Sequence, residues 1–258
     1  LNMNKIKKIK IFDIIFTDAS FNHLKNLLDR GGLLVAPSGP GLASIENDIK
    51  YYHSLKNANI VLFDSGYLCL LLRIIKNINV KKFSGLSFLK KFLSSLKNNK
   101  KKIFLIDPSE SESNANKKYF KKLNINEVYQ YVSPLYKKKK IYDRKLLNKI
   151  SKLKPKYIIV NLGGGVQEVL GYYLKKNLNY KPSIICTGAA ISFLTKKQAI
   201  IPDFLDKIFL GWLIRCLFNP LKFIPRYVSA LRLYLIFMNK KKNINMTKIN
   251  YEQYKRKK

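Results

Sequence analysis

Asp64 stands directly after an apolar run, Asn59-Ile60-Val61-Leu62-Phe63, and before Ser65-Gly66. The run reads as a buried strand, and in open α/β sheets ligands bind beyond the carboxyl ends of the strands. A carboxylate at that place can take a proton from a sugar hydroxyl as a general base. The same aspartate can instead cap the following helix through its side chain. A second candidate is the turn Leu162-Gly163-Gly164-Gly165-Val166-Gln167-Glu168. Backbone N–H groups of Gly163, Gly164 and Gly165, together with the helix start behind them, can hold a diphosphate. A tight strand-to-helix connection would use the same glycines. The turn is not a dinucleotide fingerprint, because Glu168 occupies the place of the third glycine and Thr187-Gly188, not an acidic residue, closes the next strand.

Metal chemistry has few residues to work with. There is no Asp-x-Asp pair, Asp203 and Asp206 are too far apart for one, and the only histidines are His23 and His53. Cys69, Cys186 and Cys216 lack ligand spacing, and a sparse, odd count suits a reducing cytoplasm. No metal and no cofactor are expected. A leaving diphosphate then needs cations or helix N-termini to absorb its charge. Cations stand in the C-terminal stretch, where Arg215, Lys222 and Arg226 interleave with Trp212, Phe218, Phe223 and Tyr227 at helical spacing. That is the pattern of a helix lying in a membrane interface, or of a core-packed helix with solvated charges. Lys137-Lys138-Lys139-Lys140 reads as a solvated loop.

The elements that must hold these groups alternate regularly. Strands are expected at 10–16, 33–36, 59–63, 102–107, 127–132, 157–162 and 183–187. Helices are expected at 19–30, 42–55, 67–78, 85–96, 111–123, 143–153 and from the glycine turn to 176. Such alternation implies a Rossmann-like α/β fold, a mainly parallel sheet with helices on both faces. From about residue 202 the pattern is helical only. The expected division is an α/β body at 1–200, a helical basic and aromatic appendage at 201–240, and a lysine-rich, frayed tail at 241–258.

With 258 residues, 47% of them hydrophobic, the chain can bury a core of ordinary size. The formal net charge is +35, from 50 Lys+Arg against 15 Asp+Glu. It favours an anionic partner without identifying one. No RNA- or DNA-binding motif accompanies it. The apolar stretches at 66–75 and 208–238 are cut by Arg73, and by Arg215, Lys222, Arg226 and Arg232, at intervals too short for a membrane span. The basic start, 1–10, lacks a following signal-peptide core.

An ordered series of residues over about 33–230 resembles the WecG/TagA/CpsF family of bacterial glycosyltransferases. Ala36-Pro37-Ser38 sits where the family has Thr-x-Asn, and Asp64-Ser65-Gly66 resembles its Asp-Gly segment. Lys82-Phe83-Ser84-Gly85 resembles Arg-Val-Thr-Gly. Leu162 to Glu168 resembles Leu-Gly-x-Pro-x-Gln-Glu, with Gln167 and Glu168 kept. Gly188 lies in the Val-Gly-x-x-x-Asp segment and Pro202 where Arg-Ala-Pro ends. Trp212, Arg215, Pro220, Lys222, Arg226 and Tyr227 follow the family's Glu-Trp-x-x-Arg…Pro-x-Arg…Arg-Tyr ending. The departures are Ala36, Ser38, Lys82, Gly165, Ser192 and Gly211, which replace threonine, asparagine, arginine, proline, aspartate and glutamate.

The resemblance implies an inverting, metal-independent enzyme that moves a sugar from a UDP-sugar to a sugar on undecaprenyl diphosphate, for surface polysaccharide synthesis. It implies Asp64 as the base. Donor contacts would come from Gly163, Gly164, Gly165, Gln167, Glu168, Gly188, Arg215 and Arg226. Ala36, Ser38 and Lys82 would face the acceptor. The appendage would bind an anionic membrane, placing the protein in the cytoplasm, peripheral on the inner face of the cytoplasmic membrane. Nucleic acid is not an expected partner, and oligomeric state is not readable. The alternatives are a catalytically diverged nucleotide-sugar-binding protein and a basic nucleic-acid-binding protein.

Overall fold

Strands that are apolar at every position, rather than at alternate ones, must be covered on both faces. β3 (Gly32–Val35), β5 (Ile103–Asp107), β7 (Tyr157–Val160) and β8 (Ser183–Cys186) are buried throughout. The computed structural model describes residues 5–96, 100–136, 141–195, 211–239 and 245–250. It adds β1 (Lys5–Ile11), β2 (Ile14–Asp18), β4 (Ile60–Val61), β6 (Val128–Val132) and β9 (Asn245–Asn250). All join one nine-stranded sheet in the order β6-β5-β7-β8-β3-β4-β2-β1-β9. The strands are parallel from β6 to β2, and β1 pairs antiparallel with both β2 and β9.

Alternate side chains of each strand feed two cores. Leu34, Leu62, Leu105 and Ile159 pack under α1 (Phe21–Asp29), α5 (Gly85–Ser94), α6 (Glu110–Lys122) and α9 (Ala190–Leu194). Val35, Val61, Phe104 and Val160 pack on the other face, under α2 (Gly39–Ala43), α3 (Ile49–Lys56), α4 (Gly66–Lys76), α7 (Arg144–Leu153) and α8 (Val166–Asn177). This is the Rossmann-like α/β arrangement expected.

Three further helices follow: α10 (Gly211–Phe218), α11 (Pro220–Ala230) and α12 (Arg232–Asn239). Leu233, Ile236 and Phe237 of α12 are buried in the second core, and the Phe237 ring meets Phe12 edge-on at 6.2 Å. Among the described residues no helix is long and apolar enough to cross a membrane.

Three expectations change. The strand expected at 10–16 is a hairpin, because Phe12 and Asp13 both take positive φ, 52° and 63°, in a two-residue turn. The helix expected at 42–55 is two helices. Asp48 interrupts it, its carboxylate accepting from Tyr51 N–H to cap α3. The tail expected to be frayed contributes β9, paired with β1.

Candidate active site

The strand registers line up a row of residues at the carboxyl edge of the sheet. Ile106 pairs with Val160, Val160 with Cys186, and Cys186 with Val35. Asp107, Asn161, Thr187 and Ala36 therefore follow side by side on β5, β7, β8 and β3. Past the row, the chain leaves β3 toward α2 on one face and β8 toward α9 on the other. Neighbouring loops that part to opposite faces open a crevice, the usual ligand position in such sheets. A cavity of about 610 Å³ lies there.

Asp64 lies three residues beyond β4 and lines the cavity. Its Oδ1 accepts the N–H of Gly85 at 2.8 Å, so the carboxylate is tied to the start of α5 and does not cap α4. Ser65 does that, its hydroxyl accepting from Leu68 N–H. A side chain at Gly85 would meet Ala36 Cβ and Thr187 O at 3.1 Å each. Only glycine brings the start of α5 this close to the sheet edge. The negative charge of Asp64 is felt nearby. Burial, then the charges of Glu168 and Asp64, raise the Tyr51 hydroxyl well above its ordinary value. Burial pushes the Cys69 thiol up to about 12, with Lys82 opposing and Asp64 reinforcing.

Among the described residues, helices of eight residues or more start at the cavity from four places: α4 at Ser65-Gly66, α5 at Ser84, α6 between Pro108 and Glu112, and α8 behind Gly163-Gly164. Each helix start carries roughly half a positive charge, so their convergence favours an anion. Gly163 and Gly164 are exposed, with nothing near the place of a side chain, so a ligand can approach their backbone closely. Lys82 and Arg226 add full positive charges to the lining. The guanidinium of Arg226 sits 5.9 Å from the Phe223 ring centre. Trp212, Phe223 and Tyr227 form an aromatic wall, Trp212 and Tyr227 being 5.8 Å apart.

The structure brings most of the expected site residues to this one cavity: Ala36, Ser38, Asp64, Lys82, Gly163, Gly164, Gln167, Glu168, Gly188 and Arg226. Gly165 is not in the lining. Its φ of 89° starts α8, and its N–H donates to Glu168 Oε2 at 2.7 Å, so that amide is not offered to a ligand. Ser38 caps α2 by accepting from Gly41 N–H. Gln167 and Glu168, expected as donor contacts, are held by other bonds. Gln167 Oε1 accepts Gly188 N–H at 2.7 Å, and its amide donates to Glu168 Oε1 at 2.9 Å. The two residues thus fix the β8 loop to the start of α8. Arg215 lies in α10, with its side chain outside the described residues, as are Pro202 and Lys137 to Lys140.

Sequence reasoning passed over Asp107, Asn161 and Thr187. Asp107 is fully buried and accepts from Asn116 and Asn161 at 2.7 Å and from Gln130 at 3.3 Å. Burial raises its carboxyl above the ordinary range, with those hydrogen bonds opposing. The signal that singles out Asp64, a carboxylate ending an apolar strand, fits Asp107 equally well.

Among the described residues, no group of three or more His, Cys, Asp or Glu side chains gathers as a metal site would require. No curated protein matches the chain at a significant level. The family model described as "Glycosyl transferase WecG/TagA/CpsF family" matches residues 6–246. That match takes in every strand of the parallel sheet and every residue of the cavity lining, and the chain belongs to the WecG/TagA/CpsF family of glycosyltransferases.

Proposed function

We propose that the chain moves a sugar from a UDP-sugar to a sugar carried on undecaprenyl diphosphate, with inversion and without metal, during surface polysaccharide synthesis. The observation that carries this reading is the cavity itself. Asp64 is held in place by Gly85 N–H in a crevice that Glu112 and Glu168 also line, and whose helix starts, with Lys82 and Arg226, suit a diphosphate. In the proposed step Asp64 takes the proton of the acceptor hydroxyl. That oxygen bonds to the anomeric carbon as the bond from that carbon to the diphosphate oxygen breaks. The departing UDP carries the bonding electrons away, and its charge falls on Arg226, the helix starts and the backbone at Gly163 and Gly164. Lys82 would face the acceptor side.

The outer surface of the last three helices supports membrane docking. Leu217, Phe218, Leu221, Ile224, Val228, Leu231 and Leu235 are all exposed there, Leu221 almost completely at 91%. Leu70 and Ile74 of α4 are also exposed. Exposed apolar side chains recurring along three successive helices suit an interaction surface. With the surrounding cations it fits the headgroup boundary of an anionic leaflet, where a lipid-linked acceptor is presented. The protein would then sit on the inner face of the cytoplasmic membrane.

The test is Asp64→Asn, assayed for transfer from UDP-sugars to a short-chain lipid-linked acceptor in excess chelator. The amide keeps the size and can still accept from Gly85, but it takes no proton at neutral pH. Transfer should fall about 10²–10⁴-fold, with the melting temperature and UDP binding unchanged. Near wild-type transfer by the variant removes Asp64 from the base role. Wild-type activity that vanishes on chelation removes the metal-free mechanism.

A further inference from the structure

Two buried polar atoms in the cavity wall have no hydrogen-bond partner: Asn161 Oδ1 and Thr187 Oγ1. The two residues are 6% and 7% exposed, and both line the cavity. Leaving such groups unsatisfied is costly, and native proteins keep few of them. They are also neighbours, each one residue past the paired Val160 and Cys186 on adjacent strands.

The chemistry of Asn161 is fixed from behind. Its Nδ2 donates to Asp107 Oδ1 at 2.7 Å. A carboxylate only accepts, so the amide must turn its nitrogen to Asp107 and its oxygen elsewhere. Asn161 therefore offers an acceptor, with the Asp107 carboxyl behind it. An acceptor oxygen repels the oxygens of a diphosphate, so the diphosphate belongs on the side of Gly163, Gly164 and Arg226. What suits Asn161 is an uncharged N–H. Thr187 can donate its hydroxyl to a neighbouring carbonyl.

We propose that Asn161 and Thr187 recognise an uncharged N–H with a carbonyl beside it on the sugar-nucleotide donor, Asn161 Oδ1 accepting the N–H and Thr187 donating to the carbonyl. A uracil ring presents that edge at its imide, where ring closure holds N–H and C=O on the same side, whereas the trans acetamido group of an N-acetylated sugar turns them to opposite sides. Both oxygens are screened from solvent in the unliganded protein. The inference rests on the sugar-nucleotide reading given above.

The experiment measures binding of UDP, CDP, UDP-glucose and UDP-N-acetylglucosamine to the full chain and to Thr187→Val and Asn161→Ala. Valine keeps the shape of threonine and removes a hydroxyl that lacks a partner. It should leave the melting temperature of the unliganded protein unchanged or higher, while weakening the preferred ligand about 3- to 10-fold. Those opposite signs are not expected of a merely structural hydroxyl. Asn161→Ala should narrow the preference for UDP over CDP if the base is read, since cytosine has no N–H at the equivalent ring nitrogen. A narrowed preference for the acetamido sugar over glucose, with UDP over CDP unchanged, overturns the assignment to the base edge. Wild-type binding with no change of affinity or preference in either variant overturns the inference alone. A wild type that binds none of the four ligands overturns the sugar-nucleotide reading, and this inference with it.

Discussion

Gly85→Ala tests whether close packing at the start of α5 is what holds Asp64 in place. The added methyl would stand 3.1 Å from both Ala36 Cβ and Thr187 O, and 3.2 Å from Thr187 Cβ. Carbon contacts are comfortable at about 3.5–4.0 Å, so something must yield by a few tenths of an ångström. Ala36 and Thr187 are held by the sheet, with Ala36 N–H donating to Cys186 O. The start of α5 is therefore the part that moves, and it carries the N–H that binds Asp64. Overpacking of this kind costs about 1–3 kcal/mol, which in a chain of this size lowers Tm by about 2–12 °C. A displaced base costs rate as well, and since 1 Å of misplacement can cost about 10²-fold, a loss of about 10-fold is expected. Tm comes from thermal unfolding, and kcat is measured well below the variant's Tm so that the two losses are separated. A variant with wild-type Tm and wild-type kcat refutes the argument that Gly85 is required for this approach. A lowered Tm with unchanged kcat refutes only the link to Asp64.

Two further predictions concern the surface. Leu217→Glu with Leu221→Glu should shift stability by no more than about 0.5 kcal/mol per site, because both residues are exposed. The same pair should reduce flotation with anionic vesicles at least about 10-fold, and unchanged flotation would place the membrane contact elsewhere. Asp29 accepts from Lys25 Nζ and from Tyr157 Oη, both at 2.7 Å. Burial pushes its carboxyl up, but these bonds outweigh burial and hold it below the ordinary 3.8. A carboxyl lowered on folding contributes stability above its unfolded pKa and loses it as pH falls through the folded one. Asp29→Asn should therefore destabilise the protein at pH 7, with the difference shrinking as pH falls below the ordinary 3.8, read from melting curves across that range. A pH-independent loss would show that the bond to Tyr157, not the charge, matters.

Much of the fold was legible because burying a parallel sheet on both faces forces unbroken apolar strands, and helices with one apolar stripe between them. The position of Asp64 came from the same signal, since a carboxylate directly after Ile60-Val61-Leu62-Phe63 marks the end of an apolar run. What escaped depends on tertiary partners. Phe12-Asp13 has no glycine to announce a turn, and Phe12 is held there by its contact with Phe237, far along the chain. Asn161 and Thr187 read as ordinary residues at the ends of strands, and only the strand register sets them beside each other and Asp107. Gln167 and Glu168 stood out by type and place, yet type alone does not tell a ligand contact from a brace. Glu168 lines the cavity, yet it is 1% exposed and its bond to Gly165 N–H braces the turn.

The pairing of β1 with β9 sets a schedule for synthesis. Lys5 and Asn250 are partners although 245 positions apart in sequence, so β1 has no neighbour on its outer side until residues 245–250 have left the ribosome. At about 5–20 residues per second that interval lasts on the order of tens of seconds. A strand with open N–H and C=O groups invites another chain to pair with it in the meantime. Lys7, Lys8 and Lys10 on β1 are the kind of residue that discourages this, since like charges on two such edges repel. Part of the basic surplus then serves the nascent chain and not the finished enzyme.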